Sequence, residues 1–104
     1  PVPRLELSAR KRKFLRGLAH AEEPLVHLGK AGLTDAVAAQ IDRALADHEL
    51  IKVRYVGGKE AKADLAAAIE ERLACAEAGR VGHVSVFFRP QPDPEKRKIH
   101  LLGV

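Results

Sequence analysis

The fold is decided by one continuous stretch, residues 24–56, which has the sequence PLVHLGKAGLTDAVAAQIDRALADHELIKVRYV. Its start, Pro24–Leu28, suits a short buried strand that is opened by a proline. Apolar residues then recur every four positions, at Leu33, Val37, Ile41 and Leu45. This spacing predicts a helix, which Thr34 or the preceding glycine is placed to cap.

The same stretch ends in a second predicted strand, Leu50–Val56, where apolar and charged residues alternate. The residues that we expect to face a core are Ile51, Val53 and Tyr55. Lys52 and Arg54 point the other way, and they extend a basic surface only if that face of the sheet is open. The alternation leaves this question undecided. A strand, a helix and a strand in succession predict an α/β layer structure.

Upstream of this stretch, the sequence predicts a basic helix over Ala9–Ala19, with Ser8 as its N-cap. We expect its core-facing stripe to contain Leu7, Phe14 and Leu18. The basic residues expected on the opposite side are Arg12, Lys13 and Arg16. The residues before the helix, Pro1–Leu7, are predicted to form an extended leader.

Downstream, the pattern predicts a third helix over Lys59–Ala76, with Cys75 near its end as a small packing residue. Two strands follow, a short one at Ala78–Val81 and a better one at His83–Arg89. Prolines then indicate a loop, and Lys98–Leu102 is predicted to add an edge segment, so that residues 90–104 form a loop and an edge. The predicted order is α-β-α-β-α-β-β in a single domain over residues 1–104.

Composition excludes several classes of protein. The chain has 104 residues, of which 46% are hydrophobic and 31% charged, as in an ordinary globular domain. The longest uncharged run, Val81–Phe88, is far shorter than the roughly 20 apolar residues that span a bilayer. A lone cysteine, Cys75, forms no internal disulfide, and we expect a reducing cytoplasm as the compartment.

Enzymatic patterns are missing from the sequence. The five histidines show no HExxH spacing, and there is no GxSxG element and no phosphate-binding GxxxxGK[ST] loop. We therefore predict a protein that is not an enzyme and that uses no metal and no cofactor. The net charge is +4, and residues 1–20 carry +5 while the remaining residues carry −1. Such clustered positive charge favours a polyanionic partner such as nucleic acid.

One local arrangement has a mechanism for binding that partner. Gly29, Lys30, Ala31 and Gly32 form a GxxG element between a predicted strand and a predicted helix. Amides at the start of a helix lack internal partners and attract phosphate, and glycines let a sugar-phosphate backbone approach the peptide. Lys30 adds a point charge, and a loop of this kind clamps the RNA backbone in the KH module.

Several segments together resemble the CRM-domain family and its bacterial YhbY-like, single-domain members. They are residues 17–20 (GLAH), 24–34 (PLVHLGKAGLT), 49–54 (ELIKVR), 88–90 (FRP) and 97–99 (RKI). One segment, residues 75–80 (CAEAGR), departs from the family because it is poor in β-branched residues.

The resemblance implies three helices and a four-stranded mixed sheet, similar to the C-terminal domain of translation initiation factor three. It also implies RNA binding without catalysis, on precursors of the large ribosomal subunit in bacteria and in group II intron splicing in plants. The RNA-contacting loop of the family falls on Gly29, Lys30, Ala31 and Gly32. The neighbouring basic surface corresponds, by charge alone, to the first helix with Arg12, Lys13 and Arg16.

Three functional hypotheses follow. The favoured one is a monomeric, non-catalytic protein that binds ribosomal RNA by its backbone shape and assists assembly of the large subunit. The alternative is a protein-interaction module that docks on ribosomal proteins. A DNA-binding protein is a third option, which the helices support less because they lack a face rich in Asn, Gln and Arg.

Overall fold

The computed structural model describes residues 7–56 and 62–101, so the predicted leader lies outside the described residues except for Leu7. In these ranges the helices are α1 (Ala9–Ala19), α2 (Asp35–His48) and α3 (Lys62–Leu73). The strands are β1 (Val26–Leu28), β2 (Leu50–Tyr55), β3 (Ala76–Val81) and β4 (Val84–Phe88), and a short 3-10 turn covers Pro94–Lys96. No helix in the described ranges is long and apolar enough to cross a membrane.

The four strands form one mixed sheet in the order β1-β2-β4-β3. β1 and β2 are parallel because α2 connects them as a crossover, whereas β4 is antiparallel to both β2 and β3. This arrangement confirms the predicted α/β fold, the order α-β-α-β-α-β-β and the four-stranded mixed sheet with three helices. β1 and β3 are the edge strands.

Different helices cover the two faces of the sheet. α2 and α3 pack on one face, around a cluster that includes Ile41, Leu45, Ile69, Val53 and Phe87. α1 packs on the other face, where it contacts β3, β4 and β2. There its buried residues meet a surface of small side chains and one aromatic ring, formed by Ala76, Ala78, Val86 and Phe88.

The ends of the helices follow simple rules of capping. Ser8 accepts a hydrogen bond from the amide of Lys11 at 3.2 Å, and Thr34 accepts one from the amide of Val37 at 3.2 Å. Both predicted N-caps, Ser8 and Thr34, are thereby confirmed. α2 and α3 end at residues with a left-handed backbone, Glu49 (φ 64°) and Ala74 (φ 51°), although neither is a glycine.

The predicted core stripe of α1 was wrong in part. Leu7 is buried, but the helix turns Leu15 and Ala19 inward, and Phe14 and Leu18 remain 39% and 43% exposed. The inward stripe is rotated by one residue from the predicted one, and it packs against Ala76, Ala78, Val86 and Phe88 of the sheet. The helical spacing alone is the same for both stripes, so the sheet beneath the helix decides which of them is buried.

Two predictions about the second half of the chain need correction. β3 begins at Ala76, two residues before the predicted start, because Ala74 ends α3 and Cys75 already belongs to the buried connection. β3 also contains a register shift between Glu77 and Gly79. The predicted edge segment Lys98–Leu102 forms no strand over its described residues, 98–101, where the carboxylate of Glu49 holds the chain instead.

Candidate nucleic-acid interface

The GxxG loop follows the edge strand β1 directly and lies at the surface. Gly29, Lys30 and Ala31 are exposed, and the amide of Gly32 donates a 3.0 Å hydrogen bond to the carbonyl of Gly29, which closes a tight turn. Gly32 has a φ of +73°, a conformation in which a Cβ is strained. The loop therefore presents a short, exposed stretch of backbone with a lysine at its tip.

Several amides in and next to this loop have no hydrogen-bond acceptor among the described residues. Those of Lys30, Ala31 and Leu33 donate no hydrogen bond to other residues in the described ranges. The start of α2 is less available, since Thr34 already accepts from Val37 and the helix begins with the carboxylate of Asp35. Asp35 forms an ion pair with Arg72 at 2.5 Å. The donors that this region can offer to an anion are therefore the amides of Lys30, Ala31 and Leu33 and the ammonium group of Lys30.

The two glycines of the loop serve different purposes. A Cβ on Gly29 would have no heavy atom within 4 Å, so the protein itself does not require a glycine there. At Gly32 the nearest atom, on Leu65, would be at an ordinary 3.7 Å, but the positive φ requires the glycine. Gly29 thus leaves open space above the backbone, where a phosphate can approach.

The basic residues predicted on α1 lie on the opposite face of the sheet from α2 and α3. Arg12 and Lys13 are exposed, and the stripe Arg12, Arg16, His20 follows one flank of the helix at four-residue spacing. Arg16 lies across β3, where its guanidinium Nη1 donates a 2.9 Å hydrogen bond to the carbonyl of Ala78. No hydrogen bond or ion pair in the described ranges joins Arg12, Lys13 or Arg16 to the GxxG loop.

The open question about β2 is answered by its neighbours. Arg54 is exposed and pairs in register with His27 of β1, which is also exposed. Lys52 is half-buried on the same face, and its Nζ donates a 3.4 Å hydrogen bond to the carbonyl of His20. This face of the sheet is therefore open beside α1, and Lys52 and Arg54 join the basic surface.

A cavity of about 420 Å³ lies where α1 meets this open face. Among the described residues that line it, the ionisable ones are Arg16, His20, Lys52 and Arg54, and none is acidic. Beneath them the strands contribute an apolar floor of Val81, Val84 and Val86. Sequence reasoning did not identify this cavity, because it depends on where α1 crosses the sheet.

The edge strand β1 connects the two basic regions. His27 faces the open side of the sheet beside Arg54, and Gly29 follows it two residues later at the end of the strand. The loop itself lies toward α3, with Gly32 beside Leu65. A polyanion that rounds this edge can contact the loop on one side and the cationic cavity on the other.

The cations of the cavity and of the GxxG loop form no ion pair with a carboxylate among the described residues. Elsewhere the described residues form three ion pairs, Arg72–Asp35, Arg89–Asp42 and Arg80–Glu77. In the same ranges no ion pair includes Arg16, Lys52, Arg54 or Lys30. Three of these uncompensated cations, Arg16, Lys52 and Arg54, line one cavity, which is the electrostatic pattern of a site for a polyanion.

Other chemistry has little support in the described part of the chain. No group of three or more His, Cys, Asp or Glu residues lies close enough there to hold a metal ion. Cys75 is 1% exposed, and burial raises the pKa of its thiol to about 12. A buried thiol with such a pKa is a packing group rather than a nucleophile.

Comparisons with known proteins agree on one family. The model of the CRS1/YhbY (CRM) domain matches residues 7–89. An RNA-binding protein of Haemophilus influenzae is 43% identical over 96 residues, covering 91% of this chain and 94% of that protein. Probable RNA-binding protein YqeI of Bacillus subtilis is 31% identical, covering 91% of this chain and 98% of its own length.

A solved structure agrees with the sequence matches. The solution structure of a Staphylococcus aureus hypothetical protein, described as a candidate RNA-binding protein, superposes with a TM-score of 0.76. It shares 27% sequence identity and covers 91% of this chain and 100% of its own.

Proposed function

Because this chain belongs to the CRS1/YhbY (CRM) domain family, we propose that it is a non-catalytic RNA-binding protein that holds its ligand through the GxxG loop. The RNA is ribosomal RNA, bound while the large ribosomal subunit assembles in the cytoplasm. The names of its relatives support RNA as the ligand, and the resemblance in sequence to the bacterial YhbY-like proteins supports the ribosomal target.

The observation that carries this proposal is the exposed loop, in which the amides of Lys30, Ala31 and Leu33 donate no hydrogen bond to the described residues. An RNA phosphate oxygen accepts hydrogen bonds from backbone N–H groups, and Gly29 allows the sugar-phosphate chain to come close enough for these bonds. Lys30 adds a charge at the same point, and charge-assisted bonds are about twice as strong as neutral ones. None of these groups recognises a base, so the loop binds the RNA backbone.

The wider basic surface increases affinity over a longer range. Arg12, Lys13 and Arg16 on α1, with Lys52 and Arg54 on β2, bring positive charge to the open side of the sheet. Each phosphate that a cation neutralises releases counterions, so affinity falls as salt rises. We expect RNA shape and phosphate spacing, rather than base sequence, to determine which RNA binds.

Binding to fragments of ribosomal RNA at several salt concentrations tests the mechanism. We expect log K to fall with log salt concentration by about 0.7 to 0.9 for each phosphate contact. Lys30→Glu weakens binding by about tenfold, as expected for the loss of one charged contact. Lys96→Glu, at an exposed lysine of the 3-10 turn, makes the same change in charge away from the loop and is the matched control.

Two outcomes contradict the mechanism, and a third favours the alternative partner. A salt slope near zero excludes phosphate contacts as the source of affinity. Equal effects of Lys30→Glu and Lys96→Glu exclude the loop, and retained association with ribosomal particles after Lys30→Glu favours docking on ribosomal proteins instead.

Crosslinking in a cell lysate identifies the target. RNA trapped on the protein is sequenced, and we expect fragments of immature large-subunit RNA to be enriched over their share of total RNA. Random messenger fragments in proportion to their abundance would contradict the ribosomal assignment and leave RNA binding itself intact.

A further inference from the structure

The cationic cavity beside α1 has a size and a lining that suit one nucleotide. Its volume of about 420 Å³ falls within the range of small-molecule sites. We propose that this cavity receives a single unstacked nucleotide of the bound RNA, with the base on the valine floor and a phosphate beside Arg16 and Arg54. The inference rests on the proposed function, and it adds to the loop a second contact with a different chemistry.

Arg16 is held at the wall of the cavity before any ligand arrives. A Cβ on Gly79 would lie 2.3 Å from Cδ of Arg16, so the arginine crosses β3 only because position 79 has no side chain. Its Nη1 donates to the carbonyl of Ala78 and thereby fixes the direction of the guanidinium. The remaining N–H groups of this planar fork stay available, and guanidinium geometry matches phosphate oxygens. Gly79 thus has a role in the site that its place in a strand does not indicate.

The charge in the cavity is not compensated by the nearby protein. Arg16, Lys52 and Arg54 have no carboxylate within ion-pair distance in the described ranges, and the cavity lining contains no acid. Glu22 and Glu23 line a separate, smaller cavity, which shares Lys52 with the first. Arg16 and Arg54 therefore define the anion-binding side, and Lys52 lies on the boundary between the two cavities.

The floor of the cavity favours an apolar ring over a bare phosphate. Val84 is half-buried, and Val81 is 78% exposed on the edge strand, an unusual exposure for a large aliphatic side chain. A nucleobase laid against Val81, Val84 and Val86 would remove this apolar surface from water. No aromatic residue lines the cavity, so the base would be held by aliphatic contact rather than by ring stacking.

The position of the cavity relative to the loop makes both contacts possible for one RNA chain. From the cavity, Arg54 lies beside His27 of β1, and Gly29 follows at the end of this strand. Together they form a path along the edge of the sheet. An RNA strand held by its phosphates at the loop can turn around this edge and place one unpaired nucleotide on the other face. A bulge or a loop nucleotide is unstacked more cheaply than a paired one, so it is the expected occupant.

The test uses two hairpin RNAs that differ by one nucleotide. The first has a single bulged 2-aminopurine nucleotide in its stem, and the second has a fully paired stem of the same sequence. We expect the protein to bind the bulged hairpin about tenfold more tightly than the paired one. This difference corresponds to about one charged contact together with the burial of apolar surface. The 2-aminopurine fluorescence should rise on binding, because the base leaves its neighbours and meets no aromatic ring.

Two pairs of variants separate the cavity from general charge and from folding. Gly79→Ala displaces Arg16 without changing the net charge, and Gly17→Ala is its control because a Cβ at position 17 has open space. Arg54→Gln removes one charge from the cavity, and Arg43→Gln removes one from the exposed surface of α2. The bulge preference should fall to about onefold to twofold in Gly79→Ala and Arg54→Gln and persist in both controls. If Gly79→Ala fails to fold, the exposed Arg54→Gln pair decides the question alone.

The outcomes distinguish this inference from the proposed function. Equal binding of both hairpins by the wild-type protein, with a normal salt slope, overturns the cavity and leaves RNA binding standing. Failure to bind either hairpin overturns both. Saturation by adenosine or uridine monophosphate at submillimolar concentration, lost in Arg54→Gln, assigns the cavity to a free nucleotide and overturns the RNA assignment. If Arg43→Gln reduces the preference for the bulged hairpin as much as Arg54→Gln does, the assignment of the cavity to an RNA nucleotide is also overturned.

Discussion

Glu49 and Ile99, separated by 50 positions in the sequence, are joined by a 2.9 Å hydrogen bond from the amide of Ile99 to Oε1 of Glu49. The same oxygen accepts from the amide of Lys98 at 2.6 Å, and Oε2 accepts from the amide of Gln91 at 2.7 Å. Glu49 is fully buried and has a φ of 64° at the end of α2. One carboxylate thus satisfies three backbone donors of the segment that follows β4 and fixes that segment on the fold.

We expect Glu49→Gln to lower the free energy of unfolding by about 1 to 3 kcal/mol, because an amide NH₂ faces a backbone N–H in either orientation of the side chain. Urea denaturation measures this change. Glu71→Gln, at an exposed position of α3, makes the same substitution without a buried partner and should alter stability by less than about 0.5 kcal/mol. Equal stability of the two variants would show that the carboxylate does not hold the segment.

Hydrogen exchange gives a local readout of the same contact. The amides of Lys98 and Ile99 donate to Glu49 in the folded protein and should exchange slowly. Glu49→Gln keeps one side-chain oxygen, so either the Gln91 amide or the amides of Lys98 and Ile99 lose their acceptor and should exchange much faster. Amides in the centre of β2 should change only in proportion to the global loss of stability. Slow exchange at all three positions in the variant would contradict this assignment.

The order of helices and strands could be predicted because each element produces its own hydrophobic pattern in the sequence, independently of its partners in the fold. The four-residue spacing through Ile41 and Leu45 and the alternation through Ile51 and Val53 depend on helix and strand geometry alone. The buried face of α1 was mispredicted because two adjacent stripes, Phe14 with Leu18 and Leu15 with Ala19, share the same four-residue spacing, and packing against β3 buries the second stripe. That choice is made by a partner strand almost sixty residues away, which a helical pattern does not contain.

The candidate site, too, could be predicted from the sequence only where it consists of a local motif. The loop from Gly29 to Gly32 is a local motif, and the structure leaves it exposed at the end of β1. The cavity needs Arg16, Arg54 and Gly79 to meet from three separate elements, and only the packing of α1 across the sheet brings them together. Glu49 was overlooked for the same reason, because its donors lie in a segment that returns to it from far along the chain.

The buried thiol of Cys75 predicts a dependence of stability on alkaline pH. Burial, the largest cause, raises its pKa from 9.0 to about 12, and the carboxylate of Glu70 acts in the same direction. Between these values the unfolded chain has lost a proton that the folded chain keeps, so folding loses stability as pH rises. We expect Cys75→Ala to decline less steeply over this window, by up to about 1.4 kcal/mol per pH unit.

Denaturant midpoints measured from neutral pH to above pH 9 check the difference in slope between Cys75→Ala and the wild type. Each protein serves as its own reference at neutral pH, because Cys75→Ala also loses some packing that does not depend on pH. Parallel curves for the two proteins would mean that the thiol is not protected in the folded state.

Gly17 of α1 is expected to yield a stabilising substitution. A Cβ at this helical position would meet no heavy atom within 4 Å. Gly17→Ala should therefore raise the free energy of unfolding by about 0.5 to 1 kcal/mol through helix propensity. Gly82→Ala is the informative contrast, because that position has equally open space but a φ of +59°. We expect it to lose about 1 kcal/mol or more, and thermal melts of both variants should shift in opposite directions.

Substitutions of the two glycines of the GxxG loop should separate the proposed RNA contact from folding. Gly29→Ala adds a Cβ in open space, so stability should stay within about 0.5 kcal/mol of the wild type. The same methyl group would fill the space in which we propose that a phosphate approaches the backbone, so RNA affinity should fall about fivefold, the value of one lost hydrogen bond. Gly32→Ala forces a side chain into the left-handed region and should cost about 1 to 2 kcal/mol of stability.

Stability and RNA affinity are measured on the same preparations of Gly29→Ala, Gly32→Ala and the wild type. Urea denaturation gives the stability, and fluorescence anisotropy with a ribosomal RNA hairpin gives the affinity. A Gly29→Ala protein that binds this RNA as tightly as the wild type would show that phosphate does not approach the loop at position 29. A Gly29→Ala protein as unstable as Gly32→Ala would show instead that position 29 is packed, and the affinity loss would then reflect folding. Only a stable Gly29→Ala with weakened binding fits a loop whose first glycine serves the RNA and whose last glycine serves the turn.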